Sequence, residues 1–493
     1  EISACLVGSE MCIRDSYQRG RNPSAKPPML DKSKLDKLIY REYDIRGITD
    51  TNLTEEVVQE IGSAFAQKMH ESGTEKVVTG RDGRLSSKSI EEALTHGLVE
   101  GGVEVLSVGQ VPTPILYYAT NRLNTGTGIM ITGSHNPPKY NGLKMMLNNK
   151  TLYGDAIQEL YSLAGIRGRK RARGATSKRM VSDLYQDEIK EQLQLKKELK
   201  VVVDCGNGVA GDYAPALLRE IGADVVELYC DVDGTFPNHH PDPAEPENLQ
   251  DLINRVKSED ADIGLAFDGD GDRLGVISNT GQIIWPDKLM MLFSKHVLNA
   301  NPGATIISDV KCSMDLAQVV QRHQGKYLMW RTGHSHIKSK MAETGALLGG
   351  EFSGHICFRD KWYGYDDALY SAARLLEILA NSDKSAHDLF SEFPTRHCTP
   401  EIKIETTESK KFEIINALSK TLDITNATIN SIDGIRIEYE NFWGLIRASN
   451  TSPVLVLRFE AANLDDLVKV QRLLLHLIKE VAPELTFDVF EGP

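Results

Sequence analysis

The chain has 493 residues, of which 41% are hydrophobic and 25% are charged. This length allows three or four domains, and the composition is typical of a globular protein. The net charge of −13 argues against nucleic acid as the main partner. No apolar run approaches the ~20 residues that cross a bilayer, so a membrane partner is not expected either. An anionic ligand would need a site that is locally positive.

Seven cysteines occur without a CxxC pair. Their odd number argues against a disulfide framework and predicts a cytoplasmic protein. The first 28 residues show no sustained hydrophobic period and end in a proline-rich stretch. We therefore expect residues 1–34 to be a disordered or non-native extension, with the native start near Met29.

The folded part opens at 40–47, YREYDIRG, where Tyr43 and Arg46 either line an anion site or belong to an ordinary first strand. In the next loop, Arg81 and Arg84 flank Asp82, which we interpret as a structural ion-pair cluster. Helices and strands then alternate, which predicts a mostly parallel sheet with helices on both faces. The predicted helices are 55–70, 88–100 and 113–121, and the predicted strands are 76–79, 103–108 and 128–131.

The stretch Thr132 to Lys144, TGSHNPPKYNGLK, follows the last of these strands. It offers the Ser134 hydroxyl, backbone N–H groups freed by a turn, and two lysines, all of which suit a phosphate. An unremarkable strand-ending loop is the alternative. A serine hydrolase is disfavoured because its nucleophile elbow reads Gly-x-Ser-x-Gly. In an extended chain, moreover, the side chain of His135 would point away from Ser134, making it a poor base.

A basic run, RGRKRAR, occupies 167–173 and is either a solvated linker or a nucleic-acid patch. A second α/β unit begins near residue 180. Its predicted strands are 201–203, 225–228 and 263–267, and its predicted helices are 214–220 and 249–257.

The strand at 263–267 runs directly into DGDGDR, so Asp268, Asp270 and Asp272 alternate with two glycines. The glycines allow the backbone to curl until the three carboxylates converge. Ligands that are all anionic oxygens suit a hard divalent cation, with Mg²⁺ first. A calcium EF-hand is excluded because its sixth and twelfth positions would be arginine and asparagine. A polar loop without metal is the alternative.

A third α/β unit begins near residue 286, and three of its predicted strands end in polar loops. The loops contain Lys311, then His334, then the stretch GEFSGH at 350–355. In an extended backbone, Glu351, Ser353 and His355 would face the same side. A glutamate can accept hydrogen bonds from two sugar hydroxyls. The alternative is a glycine turn with incidental polar residues.

The last segment, from about residue 393, has meander strands and flanking helices, which indicates α+β structure. Its strands at 443–448 and 454–459 enclose RASNTSP. One guanidinium and several small donors in a turn make a phosphate cradle. An ordinary hairpin turn is the alternative.

Together and in this order, TGSHNPPKYNGLK, DGDGDR, GEFSGH and RASNTSP resemble the signature loops of the α-D-phosphohexomutases, the phosphomannomutase/phosphoglucomutase family. The resemblance extends from about residue 35 to the end of the chain. It implies three related α/β domains with mixed, mostly parallel sheets and a C-terminal α+β lid domain, arranged around a central cleft. The corresponding boundaries are 1–34 for the extension and 35–178, 179–283, 284–394 and 395–493 for the domains.

The resemblance also implies roles for individual residues. Ser134 would be the phosphorylated serine, with His135, Lys144 and Arg46 as further catalytic groups. Asp268, Asp270 and Asp272 would hold Mg²⁺ together with the serine phosphate. The remaining matched residues would bind the substrate: Tyr43, Lys311, His334, Glu351, Ser353, His355, Arg447, Ser449, Asn450 and Thr451.

The implied reaction is reversible phosphoryl transfer between C1 and C6 of a hexose phosphate, through phosphoserine and a 1,6-bisphosphate. Glucose 1,6-bisphosphate would be the activator, and we expect a monomer. Phe352 stands where phosphoglucosamine mutases usually carry glutamine, which favours mannose and glucose phosphates over glucosamine phosphate. A phosphoglucosamine mutase and a Mg²⁺-dependent sugar phosphatase remain as alternatives. A non-catalytic sugar-phosphate sensor is disfavoured because all four loops look complete.

Overall fold

The computed structural model describes residues 32–166, 171–421, 424–450 and 452–490. Of the predicted extension, residues 1–31 lie outside this part of the chain, and Lys32–Lys34 form a short 3-10 helix. Four residues of the basic run, 167–170, also lie outside it. The described residues form four sheets with flanking helices, which we call the first to fourth units.

The first unit has a seven-stranded sheet in the order β1-β5-β4-β2-β3-β7, with β6 beside β5. Its strands are β1 Ile45–Ile48, β2 Lys76–Arg81, β3 Glu104–Gln110, β4 Gly128–Ile131, β5 Tyr140–Leu147, β6 Lys150–Thr151 and β7 Thr176–Lys178. Its helices are α1 Glu55–Glu71, α2 Ser87–Glu100, α3 Thr113–Arg122 and α4 Asp155–Leu163. Strands β2, β3, β4 and β7 pair in parallel, whereas β5 is antiparallel to both β1 and β4.

The second unit has five strands in the order β12-β11-β10-β8-β9 and follows helix α5, Ser182–Gln192. Its elements are β8 Lys200–Asp204, α6 Ala214–Glu220, β9 Asp224–Leu228, α7 Gln250–Ser258, β10 Ile263–Phe267, β11 Leu274–Ser278 and β12 Ile283–Ile284. Strand β8 is parallel to β9 and β10, and β11 returns antiparallel to β10.

The third unit has four strands in the order β14-β13-β15-β16, parallel except for the last pair. Its strands are β13 Thr305–Asp309, β14 Lys326–Trp330, β15 Leu348–Gly350 and β16 Ile356–Phe358. Its helices are α8 Pro286–Ala300, α9 Met314–Arg322, α10 His334–Thr344, α11 Ala368–Ala380 and α12 Ala386–Phe390.

The fourth unit is an antiparallel sheet in the order β17-β22-β21-β20-β19, with β18 beside β22. Its strands are β17 His397–Cys398, β18 Ile402–Glu405, β19 Thr428–Asn430, β20 Ile435–Glu438, β21 Phe442–Ala448 and β22 Val454–Ala461. Its helices are α13 Glu408–Thr421 and α14 Leu464–Val481. The predicted fold class, three α/β units and one α+β unit, is confirmed.

Antiparallel partners are the main elements that the sequence prediction missed. Strand β5 lies where only a loop was expected, and β11 and β16 pair with the strands that precede the aspartate and glutamate loops. In each case the loop reverses the chain within the same sheet. The polar residues of these loops are therefore fixed by a strand on both sides.

One hydrophobic core runs through the first three units, because its buried side chains come from α3, β10 and α11 alike. Aromatic rings join these units: Trp362 stacks on Tyr118, from the first unit, at 6.0 Å and on Tyr370 at 4.5 Å between ring centroids. The fourth unit has a core of its own. No helix in the described ranges is long and apolar enough to cross a membrane.

The fourth unit meets the third partly through two buried arginines. Arg436 donates to the carbonyls of Val310 at 2.6 Å and Cys312 at 2.8 Å. Arg458 donates to the carbonyl of Lys311 and lies 3.3 Å from a carboxylate oxygen of Asp287. A small apolar cluster accompanies these polar contacts. Val310 from the third unit packs with Trp443 and Leu445 from the fourth. The contact thus combines directional hydrogen bonds with a few buried apolar side chains, whereas an extended apolar core joins the other three units.

Asp367 is a buried carboxyl within the aromatic cluster. It accepts hydrogen bonds from the Tyr185 hydroxyl at 2.8 Å, the Trp362 indole at 2.9 Å and the Tyr370 backbone N–H at 2.9 Å. Burial raises the pKa of Asp367 to about 7, even though these three donors lower it. The folded protein therefore retains a proton on this carboxyl at a pH where the unfolded chain has already lost it.

We predict that Asp367 makes the fold less stable as the pH rises from about 4 to 7, because the native state binds the proton more tightly over that range. Relative to Asp367→Asn, the free energy of unfolding of the wild type should fall by up to ~1.4 kcal/mol per pH unit. Melting temperatures of both proteins across this range measure the difference. The exposed Asp383→Asn is the matched control, and a pH dependence that Asp367→Asn leaves unchanged would refute this.

Candidate active site

A cleft of about 640 Å³ lies where loops of all four units meet. Its lining carries seven lysines and arginines against five aspartates and glutamates, although the whole chain has a net charge of −13. The lining therefore has two more cationic than anionic side chains, apart from the three aspartates of the second unit that adjoin it. Predicted site residues that line it are Tyr43, Arg46, Ser134, His135, Lys144, Lys311, His334, Glu351, Ser353, His355, Arg447, Ser449 and Asn450. Predicted Thr451 lies outside the described residues.

Ser134 stands three residues beyond strand β4, in a left-handed backbone conformation with φ of 49°. Its hydroxyl donates to Asp268 Oδ2 at 2.9 Å and lies 3.2 Å from Nδ1 of His135. The expectation that an extended chain would separate these two side chains is wrong. The left-handed conformation of Ser134 brings the imidazole of His135 beside the Ser134 hydroxyl.

His135 is neutral in this setting. Burial lowers its pKa well below the usual value, and the positive charges of Arg273 and Arg46 add to the effect. A neutral imidazole at hydrogen-bond distance can take a proton from a hydroxyl or return one. His135 therefore qualifies as a proton-transfer group for Ser134.

Asp268, Asp270 and Asp272 lie in the connection between β10 and β11 and are fully buried. Each offers one carboxylate oxygen within 4.8 Å of the others. The turn is fixed by Oδ1 of Asp268, which accepts from the backbone N–H groups of Asp272 and Arg273 at 3.1 Å. Gly271, with φ of 73°, permits this tight path.

Lys144 reaches this carboxylate cluster from strand β5. Its ammonium lies 2.7 Å from Oδ2 of Asp270 and 2.5 Å from Oδ2 of Asp272. These carboxylates raise the pKa of Lys144 well above the usual value, although burial alone would lower it. Three carboxylates and one ammonium leave two negative charges without a partner in the cluster.

The residues present fit a divalent cation. Lys144 binds only the Oδ2 atoms. Oδ1 of Asp270 is buried without a hydrogen-bond partner in the described residues, and Oδ1 of Asp272 has only the ring of His355 beside it, at 3.3 Å. Burial and the two neighbouring carboxylates raise the pKa of Asp268 well above its usual value. An oxygen-only donor set of this charge suits a hard ion such as Mg²⁺.

In the loop after β15, a turn and not an extended backbone brings the polar side chains together. The N–H of Gly354, with φ of 98°, donates to the carbonyl of Glu351 at 3.1 Å, so the extended-backbone expectation is wrong. Nδ1 of His355 nevertheless lies 3.3 Å from Glu351 and 3.0 Å from the Ser353 hydroxyl. The turn thus gathers the same three side chains that alternation was expected to gather.

His355 joins this loop to the aspartates. Its Nε2 lies 3.3 Å from Oδ1 of Asp272. Burial lowers the pKa of His355, but Asp272 and Glu351 outweigh it and raise the value to about 9. Burial alone would raise the pKa of Glu351, but His355 brings it to about 2. At neutral pH the structure therefore holds an imidazolium between two carboxylates.

The cradle in the fourth unit lies across the cleft from the serine loop. Arg447, near the end of β21, pairs with Asp433 at 3.0 Å, and the Ser449 hydroxyl lies 3.0 Å from that of Ser452. The amide of Asn450 donates to the Tyr43 hydroxyl, which links the fourth unit to the first. This contact closes one side of the cleft.

Two side chains at or near the cleft, Arg273 and Asp366, were not predicted as site residues from the sequence. Arg273 lines the cleft, and its Nε lies 3.3 Å from His355 Nε2 and 3.9 Å from Asp268. Asp366 lies 3.1 Å from His334 Nδ1 and 2.6 Å from Lys338. The sequence could have pointed to Arg273, since it directly follows the three carboxylates. It gave no indication of Asp366, because only the tertiary fold brings this residue to the site.

Four sequence models of one family match the chain in order. The phosphoglucomutase/phosphomannomutase alpha/beta/alpha domains I, II and III match residues 37–165, 183–281 and 285–397, and the C-terminal domain of that family matches 401–474. These matches cover most of the chain.

Individual proteins agree with this. A phosphomannomutase/phosphoglucomutase of Pseudomonas putida is 51% identical over 451 residues, which are 92% of this chain and 97% of the relative. A phosphoglucomutase of Neisseria gonorrhoeae is 48% identical over 433 residues, which are 87% of this chain and 94% of the relative. The crystal structure of a phosphoglucomutase/phosphomannomutase family protein from Burkholderia thailandensis has a TM-score of 0.87 at 45% identity, and the match covers 92% of this chain and 100% of that one.

The chain belongs to the phosphoglucomutase/phosphomannomutase family. The family prediction made from the four loops is confirmed, and the chain is an enzyme of the mutase class.

We predict that Asp270→Asn weakens Mg²⁺ binding at least about tenfold, because it removes one of the anionic ligands that set the affinity of such a site. Calorimetric titration of purified protein with Mg²⁺ measures the change. Asp260→Asn makes the same charge change at an exposed position and should bind as the wild type does. Equal affinities for Asp270→Asn and wild type would place the ion elsewhere.

Proposed function

We propose that this mutase moves a phosphoryl group reversibly between C1 and C6 of mannose or glucose phosphate, through a phosphoserine at Ser134. The observation that carries the proposal is the Ser134 hydroxyl, 2.9 Å from Asp268 at the edge of the cleft. Relatives at 48–51% identity, which are a phosphomannomutase/phosphoglucomutase and a phosphoglucomutase, support the two sugars. A phosphate bound at Ser134 would lie beside the acidic cluster.

In this mechanism, Asp268, Asp270 and Asp272 would hold Mg²⁺ together with the serine phosphate. When bound, the ion would supply electrostatic stabilisation of charge on the transferring phosphoryl group. The Ser134 O–P bond breaks as the substrate hydroxyl forms its own bond to phosphorus. The hydroxyl proton passes to a base in the cleft, and the departing Ser134 oxygen takes up a proton from an acid there. Transfer of the other phosphoryl group from the resulting 1,6-bisphosphate restores the phosphoserine.

The other residues bind and orient the substrate. Arg447, Ser449 and Asn450 form a cradle for the phosphate that does not react, and we assign Thr451 to it from the sequence. Arg46, Lys311 and His334 add positive charge or hydrogen-bond donors in the same cleft. The Glu351 carboxylate, which burial would protonate but His355 keeps ionised, accepts hydrogen bonds from sugar hydroxyls.

Tyr43 contributes to closing the cleft. Its hydroxyl donates to the carbonyl of Thr332 at 2.7 Å and accepts from Asn450. Contacts of this kind from three units exclude water from the phosphoserine while the sugar is bound. A water molecule that reached the phosphorus would release phosphate instead of completing the transfer.

The remaining assignments rest on the sequence and the family. We propose glucose 1,6-bisphosphate as activator, a cytoplasmic location, a monomer, and no nucleic-acid partner. The domain division 35–178, 179–283, 284–394 and 395–493 is supported by the four sheets, which extend from 45 to 178, 200 to 284, 305 to 358 and 397 to 461. Phe352, at the position where phosphoglucosamine mutases usually carry glutamine, supports mannose and glucose over glucosamine.

We predict that Ser134→Ala lowers mutase activity by at least about 10³-fold, since it removes the group that carries the phosphoryl between the two positions. The assay supplies Mg²⁺, a trace of glucose 1,6-bisphosphate, and either mannose 1-phosphate or glucose 1-phosphate, and follows the 6-phosphates.

Free phosphate is followed in the same reactions. Conversion without phosphate release, lost in Ser134→Ala, supports the mutase, and the two rates give the sugar preference. Release of phosphate without isomerisation would indicate the alternative, a Mg²⁺-dependent sugar phosphatase.

A further inference from the structure

The serine loop, residues 132–139 between β4 and β5, has several backbone carbonyl groups that form no hydrogen bond with a neighbouring strand in the described part of the chain. Between β4 and β5 the chain turns at Ser134 and again at the two prolines. The carbonyls of Ser134, Asn136, Pro137 and Tyr140 point toward one buried spot beside the loop. Ser134 is buried, and a buried carbonyl without a donor is costly, so a group at that spot must supply an N–H bond to it.

Arg84 occupies this spot. Its side chain is almost fully buried, and its two terminal nitrogens donate to all four carbonyls. One nitrogen donates to Pro137 at 2.8 Å and Tyr140 at 3.1 Å. The other donates to Ser134 and Asn136, both at 2.6 Å. All four terminal N–H groups of the guanidinium are thereby used.

Asp82 completes the arrangement from the other side. Its Oδ2 lies 3.2 Å from Nε of Arg84 and accepts from the Thr132 hydroxyl at 2.8 Å. The Thr132 hydroxyl oxygen in turn accepts from the backbone N–H of Ser134 at 2.8 Å. Both backbone polar groups of Ser134 are therefore tied to the Asp82–Arg84 pair, one directly and one through Thr132.

From this geometry we propose that Arg84 is the positioning residue of the serine loop: it fixes the backbone of Ser134 so that only rotation about χ1 remains to direct the hydroxyl toward Asp268. The proposal rests on the role proposed above for Ser134. The sequence predicted only a structural ion pair between Arg84 and Asp82. The proposal goes beyond that prediction, because the guanidinium also binds the backbone of the serine loop.

The site is built for a guanidinium. A Cβ added at Gly133 would lie 2.6 Å from Cζ and Nε of Arg84, so the loop approaches the group as closely as glycine allows. The ring of Phe236, from the second unit, lies 5.0 Å from Cζ and covers it. A lysine ammonium has three donors and no planar fork, so it cannot bind all four carbonyls at once.

We predict that Arg84→Lys lowers kcat about 100-fold while KM changes little, since a shift of roughly 1 Å in a reacting group costs about this much. Phosphate released per isomerisation should rise, because a misplaced phosphoserine is exposed to water for longer. Arg81→Lys is the matched control: it makes the same change three positions earlier, at the last residue of strand β2, where the guanidinium pairs with Glu91 at 3.2 Å. A kcat for Arg84→Lys within about twofold of this control would overturn the proposal.

Circular dichroism will show whether Arg84→Lys folds. If it does not fold, the variant Phe236→Leu tests the same proposal. Loss of the ring over the guanidinium should lower kcat about 2- to 5-fold with KM unchanged. An unchanged kcat in Phe236→Leu would contradict the positioning role of Arg84. A role in folding alone would lower the melting temperature but leave kcat and the phosphate released per turnover of the folded protein unaltered.

Hydrogen exchange of the amides in 132–141 separates this proposal from the proposed function. If the wild type isomerises neither sugar phosphate, the proposed function fails. Faster exchange in Arg84→Lys than in Arg81→Lys would then still support Arg84 as the residue that fixes the loop. Equal exchange in the two variants would overturn it.

Discussion

The site depends on burying three carboxylates together at the junction of two units. Asp268, Asp270 and Asp272 are inaccessible to solvent, and Lys144 neutralises only part of their charge. Unpaired buried charge is costly, so such a cluster persists only where the surrounding chain is rigid and a cation is available. The antiparallel strands β5 and β11 provide that rigidity, since one carries Lys144 and the other closes the aspartate turn.

The loops that carry the chemistry are fixed at both ends. In the first three units, a parallel strand leads into the polar loop and an antiparallel strand leads out of it. Ligand sites in such sheets lie at the carboxyl ends of the parallel strands, and the returning strand keeps the loop from moving away from that edge. Arg84 and His355 add side-chain bonds across the loops, so the serine, the aspartates and the glutamate are held in one arrangement.

Motif order and strand periodicity were sufficient to predict the fold class, the family and the residues around the cleft. Helix α6 and strands β4 and β10 were also predicted to the residue, because a buried hydrophobic run bounded by polar residues leaves little choice. Strand β5 was missed because glycine, lysine and asparagine interrupt its hydrophobic pattern. The pairing of Ser134 with His135 was missed because a positive φ at a serine has no signal in the sequence, and Asp366 reaches His334 only through tertiary structure.

The different ways in which the units are joined affect how the molecule denatures. The continuous core of the first three units means that a defect in one weakens its neighbours, so they should lose their structure as a single cooperative block. The fourth unit has its own core and is attached through the polar contacts of Arg436 and Arg458 and a small apolar cluster around Trp443. This attachment buries far fewer apolar side chains than the core of the first three units does, so we expect the fourth unit to detach first while remaining folded. Substrate that bridges the cleft would bind the two blocks to each other, and its presence should merge two melting steps into one.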